Sequence, residues 1–276
     1  MFDWVLCPIL KLCTDLHQIW GVGSIWIGFE SFAHGRKMIQ IEGTSDLRLN
    51  MSIAQLDEVN QRIKEAALRF GPLSEDAPAP KLIAVSKTFD ADQIDPILSA
   101  GQKHFGENRV QEAQGKWPTL KEKYDGIVLH LIGPLQTNKV KDAVALFDVI
   151  HSVDREKLAK ALAKEFTASG RKLPVFVQVN IGEEPQKAGI APSETVEFVK
   201  TCQNTYGLDV RGLMCIPPAG APSAPYFAQL AELAKGADLH ELSMGMSADF
   251  DTAVEMGATY VRVGSAIFGH RDYSAH

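Results

Sequence analysis

Apolar and polar positions fall into a readable order only from Met51 onward. Ser52 and Gln55 form a capping-box pattern, and Ile53, Leu56, Val59, Ile63 and Ala67 then recur at helical spacing as far as Gly71. That spacing predicts an amphipathic helix. A stretch rich in Pro, Ala and acid, residues 72–80, reads as a linker. Beyond it, short apolar runs of strand type alternate with helical periods. The runs cover residues 82–86, 103–106, 127–133, 147–153, 174–180, 210–215, 239–245 and 260–264. Amphipathic stretches lie between them at 110–124, 154–169, 192–205, 226–236 and 249–257. Strand alternating with helix means parallel βαβ units, since each parallel crossover needs a covering helix. Eight such units in about 190 residues predict an α/β chain folded as a single closed (β/α)8 barrel, a fold of about 250 residues as a rule. A doubly wound open sheet is the alternative, but no G-x-G-x-x-G run follows the first strand.

Residues 1–50 do not continue this pattern. Their apolar positions keep neither period, and Gly21, Gly23, Gly28 and Gly35 interrupt them. Asp3 precedes a short apolar stretch broken by Pro8, which is unlike a secretory signal. Residues 19–29 are too few for a bilayer, which takes roughly 18–20 apolar residues. The expectation is that 1–50 is a non-native or disordered extension, that Met51 is the natural start, and that 51–276 is the barrel. The competing reading is a small partner-binding arm using Trp4, Trp20 and Trp26.

Composition narrows the function classes. With 28 Lys+Arg against 34 Asp+Glu, the net charge of −6 argues against nucleic acid as a partner. Charged residues at 22% and hydrophobic ones at 45% fit a globular chain with a sizeable core. Cys7, Cys13, Cys202 and Cys215 are scattered, so neither a disulfide framework nor a metal site is expected, and the cytoplasm is the natural compartment. No apolar run is long enough for a membrane helix.

In a barrel, chemistry belongs at the carboxyl ends of the strands. Those ends read Ser86-Lys87-Thr88, Phe105-Gly106-Glu107-Asn108, His130-Leu131-Ile132-Gly133-Pro134-Leu135-Gln136, Asn180, Ser243-Met244-Gly245-Met246-Ser247 and Arg262-Val263-Gly264-Ser265. Lys87 directly follows an apolar strand; it is either a surface lysine closing that strand or, partly desolvated at the rim, a Schiff-base amine. Gly264-Ser265 opens a short helical run, and with Ser243 and Gly245 it can cup a phosphate, unless these residues only make tight turns. Arg262 shares a strand face with Gly264. Buried there it needs an acceptor: a pyridine nitrogen, or an ion pair with Glu107, Glu241 or Asp249.

Five runs carry a resemblance: Ala84-Val85-Ser86-Lys87-Thr88, Phe105-Gly106-Glu107-Asn108, the run from His130 to Lys139, the run from Leu242 to Asp249, and the run from Val261 to Gly269. In order and spacing they resemble the pyridoxal phosphate homeostasis protein family, whose fold is similar to the alanine racemase N-terminal barrel, fold-type III among pyridoxal-phosphate proteins. Residues 1–50 have no counterpart in that pattern. The resemblance implies pyridoxal 5′-phosphate as cofactor, with a Schiff base at Lys87, ring-nitrogen contact from Arg262, and phosphate contacts from Ser243, Gly264 and Ser265. It implies that Asn108 and Met244 line the site and that Lys187 assists cofactor transfer. The loop 217–225 is the least family-like stretch. The implied function is intracellular cofactor homeostasis: holding and delivering the cofactor to apo-enzymes without catalytic turnover. An arginine at the ring nitrogen leaves the ring a poor electron sink, which agrees with holding. The alternative is a minimal enzyme such as a weak racemase; a Schiff-base aldolase lacks a recognisable proton-shuttling carboxylate and tyrosine around Lys87. Because the chain ends soon after its eighth strand, a monomer is expected.

Overall fold

The computed structural model describes residues 44–69 and 80–269, with side chains from Met51. The first forty-three residues, most of the expected extension, and nearly all of the expected linker 72–80 lie outside the described residues. Eight parallel strands close on themselves in sequence order, β1 pairing with both β2 and β8. They are β1 (Lys81–Val85), β2 (His104–Glu107), β3 (Val128–Leu131), β4 (Val149–Val153), β5 (Val175–Val179), β6 (Val210–Cys215), β7 (Glu241–Ser243) and β8 (Tyr260–Val263). Every one falls on an expected apolar run, and the barrel is closed rather than an open sheet.

The helices are α1 (Thr44–Arg69), α2 (Ala91–Ser99), α3 (Val110–Gln114), α4 (Trp117–Lys123), α5 (Val140–Leu146), α6 (Glu156–Ser169), α7 (Thr195–Asn204), α8 (Ala224–Gly236), α9 (Phe250–Glu255) and α10 (Ser265–Phe268). Two expectations change. Ser52 sits inside α1, so the capping-box pattern there marks no helix start. The stretch 110–124 is two helices, because the chain breaks at Gly115-Lys116 and Pro118, lacking an N–H, opens α4. Along α1, Leu56, Val59, Ile63 and Ala66 are buried against the barrel's outer layer. On its other contacts, Arg62 pairs with Asp251 and lies over the Phe250 ring, while Arg69 bonds Glu255 at 2.6 Å, fixing α1 to α9. No helix among the described residues is long and apolar enough to cross a membrane.

Strand alternation sorts side chains into two layers. Leu82, Ala84, Phe105, Leu129, Ile150, Val177, Leu213, Leu242 and Val261 face the helices. Each of the larger side chains among them, Val, Leu, Ile or Phe, stabilises the fold by roughly 1.5–3 kcal/mol when buried. Ile83, Val149, Phe176, Met214 and Tyr260 fill the barrel's interior. That interior is partly polar. His104 Nδ1 meets His130 Nε2 at 3.0 Å, His130 Nδ1 meets His151 Nε2 at 2.9 Å, and His151 Nδ1 meets Ser243 Oγ at 2.9 Å. Phe176 stacks on the His151 ring, with centroids 4.3 Å apart.

Burial holds His130 and His151 well below the ordinary imidazole value of 6.5, with neighbouring positive charge acting the same way. The folded state therefore keeps both rings neutral where the unfolded chain protonates them. Stability from these groups is complete above pH 6.5 and lost as pH falls below it. Each ring contributes a slope of about 1.4 kcal/mol per pH unit in that window. Urea unfolding measured from about pH 7.5 down to about 5.5 should show this loss, and His151→Gln should flatten the slope by one proton whatever its stability at neutral pH. An unchanged slope would mean that His151 is protonated in the folded barrel.

Candidate functional site

At the carboxyl ends of the strands the barrel opens into a cavity of about 510 Å³. Its wall carries Lys87 after β1, Asn108 after β2, Ile132 after β3, Ile216 after β6, Met246 and Ser247 after β7, and Arg262, Gly264 and Ser265 from β8 and α10.

Lys87 is held through its neighbours. Ser86 donates its N–H to Gly106 O at 3.0 Å and its hydroxyl to Glu107 Oε1 at 2.6 Å. Thr88, at φ +67°, gives its N–H to the Glu112 carboxylate. Lys116 Nζ donates to Ser86 O at 2.8 Å and Phe89 O at 2.9 Å, and pairs with Glu107 at 3.0 Å. Trp117 Nε1 donates to the same carboxylate oxygen at 3.0 Å. The helix break at Gly115-Lys116 thus turns Lys116 inward as a clamp on the loop that carries Lys87. Burial raises the Glu107 carboxyl above its usual range, with Lys116, Ser86 and Trp117 opposing that shift.

Arg262 is buried inside the barrel. Its Nη1 donates to Ser243 Oγ at 2.8 Å and its Nη2 to Cys215 O at 2.9 Å. Both partners are neutral; neither Glu107, Glu241 nor Asp249 is its hydrogen-bond partner. Burial pulls the guanidinium below its ordinary value, opposed by Cys215 and Asp249. Two residues on, Gly264 lets β8 close against β1: a Cβ there would stand 3.3 Å from both the Cβ and the carbonyl oxygen of Val85. The N–H groups of Gly264 and Ala266 point at Ser247 Oγ, at 3.2 and 3.4 Å. Gly245 makes this meeting possible. Its φ is +87°, and a Cβ would press on Ala253 Cβ at 2.5 Å, so only glycine turns the chain back over the cavity.

Of the expected site residues, Lys87, Asn108, Arg262, Gly264 and Ser265 share this wall. Ser243 and Met244 lie off it. Ser243 is fully buried, and its hydroxyl meets Arg262 and His151. Met244 faces the helices from the neighbouring strand position, inside the outer core. Their places on the wall belong to Ser247 and Met246. Lys187 also lies off the wall, paired with Glu184 and bonded to Pro217 O at 3.2 Å. The loop 217–225 contributes no wall residue. Among the described residues no cluster of three His, Cys, Asp or Glu could hold a metal.

The family model described as alanine racemase, N-terminal domain, matches residues 54–272. The pyridoxal phosphate homeostasis protein of Pasteurella multocida is 38% identical over 238 residues, covering 83% of this chain and 100% of the relative. The chain belongs to the pyridoxal phosphate homeostasis protein family. A second member, from Pseudomonas aeruginosa, is 40% identical over 79% of this chain and 95% of its own. Among solved structures, PipY of Synechococcus elongatus with pyridoxal phosphate bound is 40% identical, with a TM-score of 0.64 over 74% of this chain and 100% of PipY. Alanine racemase of Clostridium difficile shares the family's barrel at 16% identity and a TM-score of 0.59, over 82% of this chain and 57% of the racemase. That last likeness shows the fold alone.

Lys116→Met should leave Glu107 buried without its cation and cost about 3–5 kcal/mol in urea unfolding. Adding Glu107→Gln should recover part of the loss, because no uncompensated carboxylate then remains. A loss below about 1 kcal/mol for the single variant would show that the clamp carries little of the loop's order.

Proposed function

We propose that the protein binds pyridoxal 5′-phosphate in this cavity and holds it for delivery. The observation that carries the reading is one wall bearing an amine, a guanidinium whose hydrogen-bond partners are neutral, and a glycine turn whose backbone N–H groups converge on the Ser247 hydroxyl. The volume of about 510 Å³ suits a small phosphorylated ligand, within the roughly 300–1,000 Å³ of such pockets. Lys87 would meet the aldehyde, Arg262 the ring nitrogen, and the Gly264–Ala266 turn with Ser265 and Ser247 the phosphate. Ile132, Ile216 and Met246 would flank the ring. When bound, the cofactor supplies an electrophilic aldehyde and an electron-withdrawing ring.

The same residues favour holding over turnover. Arg262 offers donors and no acceptor, so it cannot stabilise a protonated ring nitrogen, and the ring stays a weak electron sink. Racemisation also needs a second base across the substrate. Among the described wall residues, Lys87 is the one side chain suited to that role; no His, Tyr, Asp, Glu or Cys joins it. The reading takes the protein as a cytoplasmic monomer that passes its cofactor to apo-enzymes. Its buried thiols, Cys202 and Cys215, both unbridged and pushed up to about 12, suit a reducing compartment.

Lys87→Ala should abolish the borohydride-trapped adduct, leave the melting temperature close to wild type, and keep weak non-covalent binding at the phosphate turn. Wild type should reconstitute an apo-enzyme yet show no sustained turnover of any amino acid. Sustained turnover that disappears in Lys87→Ala would favour the racemase-type reading, and an adduct on another lysine would move the site.

A further inference from the structure

The bonds that begin at Arg262 have a direction, set by the one member that can only donate. A guanidinium has no acceptor, so Ser243 Oγ accepts from Nη1. Ser243 is fully buried, and the acceptor within reach of its own proton is His151 Nδ1. A buried hydroxyl left without an acceptor is costly, so the proton goes there. His151 must then carry its hydrogen on Nε2 and donate it to His130 Nδ1. His130 in turn carries Nε2–H and donates to His104 Nδ1. Because burial keeps His130 and His151 neutral, each has a single N–H to give, and the direction passes unbroken along the chain.

We propose that Ser243, His151, His130 and His104 are positioning residues, a one-way hydrogen-bond chain with all three rings in the Nε2–H tautomer, that fixes the Arg262 guanidinium and turns its remaining donors to the cavity. The chain starts at the last residue of β7 and ends at the first residue of β2, so it runs the length of the barrel from the cavity to the opposite end. At that end His104 is only partly buried. Lys81 of β1, Tyr260 of β8 and His130 of β3 face it, with Glu241 of β7 acting on Lys81. A uniform polarity also aligns the bond dipoles, each strengthening the next in a low-dielectric interior. The chain's effect on the cofactor rests on the function proposed above; its tautomers do not.

Nitrogen-15 NMR of the labelled, cofactor-free protein reads which nitrogen of each ring is protonated. All three rings should show bare Nδ1 and protonated Nε2. Ser243→Ala removes the donor to His151, and the tautomer populations should change there and onward at His130 and His104; Ser243→Thr, which keeps Oγ, should restore them. A proton on Nδ1 of His130 or His151 in wild type, or rings indifferent to Ser243→Ala, overturns the chain. With pyridoxal 5′-phosphate as probe, Ser243→Ala should retain it about tenfold more weakly, with a shifted visible spectrum, while borohydride still traps Lys87. Equal affinity and spectrum in both proteins, with the adduct formed, refutes positioning of Arg262. Failure of wild type to form the adduct refutes the cofactor reading instead, and the tautomer result then judges the chain by itself.

Discussion

A guanidinium placed inside a barrel must be satisfied where water cannot reach it, and much of the interior follows from that requirement. An isolated buried charge is costly, and a carboxylate partner would lower the cost by neutralising it. Here Arg262 meets a hydroxyl and a backbone carbonyl instead. The charge is held without being cancelled, which leaves it able to attract an acceptor from the cavity. The hydroxyl brings its own obligation, a proton that needs an acceptor, and the histidines extend from there. Ile83 and Arg262 stand at the same level of the β1–β8 pair, so the cation lies just beneath the strand ends where Lys87 and Gly264 emerge.

The site's second support has the opposite chemistry. Lys116 and Glu107 form a buried ion pair, and the lysine's remaining hydrogens bind the two carbonyls that bracket Lys87. One lysine is thus fully coordinated so that a neighbouring lysine can be presented on a cavity wall. Breaking α3 from α4 is what brings Lys116 there, at the expense of helical hydrogen bonds that a continuous helix would have made.

Much of the fold was legible because parallel strands buried on both faces leave unmistakable apolar runs, such as Leu82-Ile83-Ala84-Val85 and Val175-Phe176-Val177. Helix limits were harder: Gly115 and Pro118 permit the break after residue 114, but the inward turn of Lys116 rests on the distant carbonyls of Ser86 and Phe89, which no local pattern announces. For the site, the carboxyl-end criterion selected Lys87, Asn108, Arg262, Gly264 and Ser265 without geometry. It did not separate wall from interior in Ser243-Met244-Gly245-Met246-Ser247, where the same two residue types occur on both sides of a glycine. Which serine lines the cavity there depends on the positive φ of Gly245 and on a hydrogen bond to Arg262, and composition encodes neither. The histidine chain escaped notice for a similar reason. His104, His130 and His151 sit on three successive strands, far apart in sequence, and only the barrel's closure and stagger bring them into line.

The central claim is that one cavity holds pyridoxal 5′-phosphate between the amine of Lys87, the guanidinium of Arg262 and the backbone turn at Gly264–Ala266. A crystal structure of the protein grown with the cofactor tests it most directly. The account predicts density continuous with Lys87 Nζ, the ring nitrogen within hydrogen-bond distance of Arg262 while Arg262 keeps its bond to Ser243, and the phosphate on the amides of residues 264–266. Cofactor joined to another lysine, a phosphate seated away from that turn, or an Arg262 released from Ser243 and turned from the ring would contradict it.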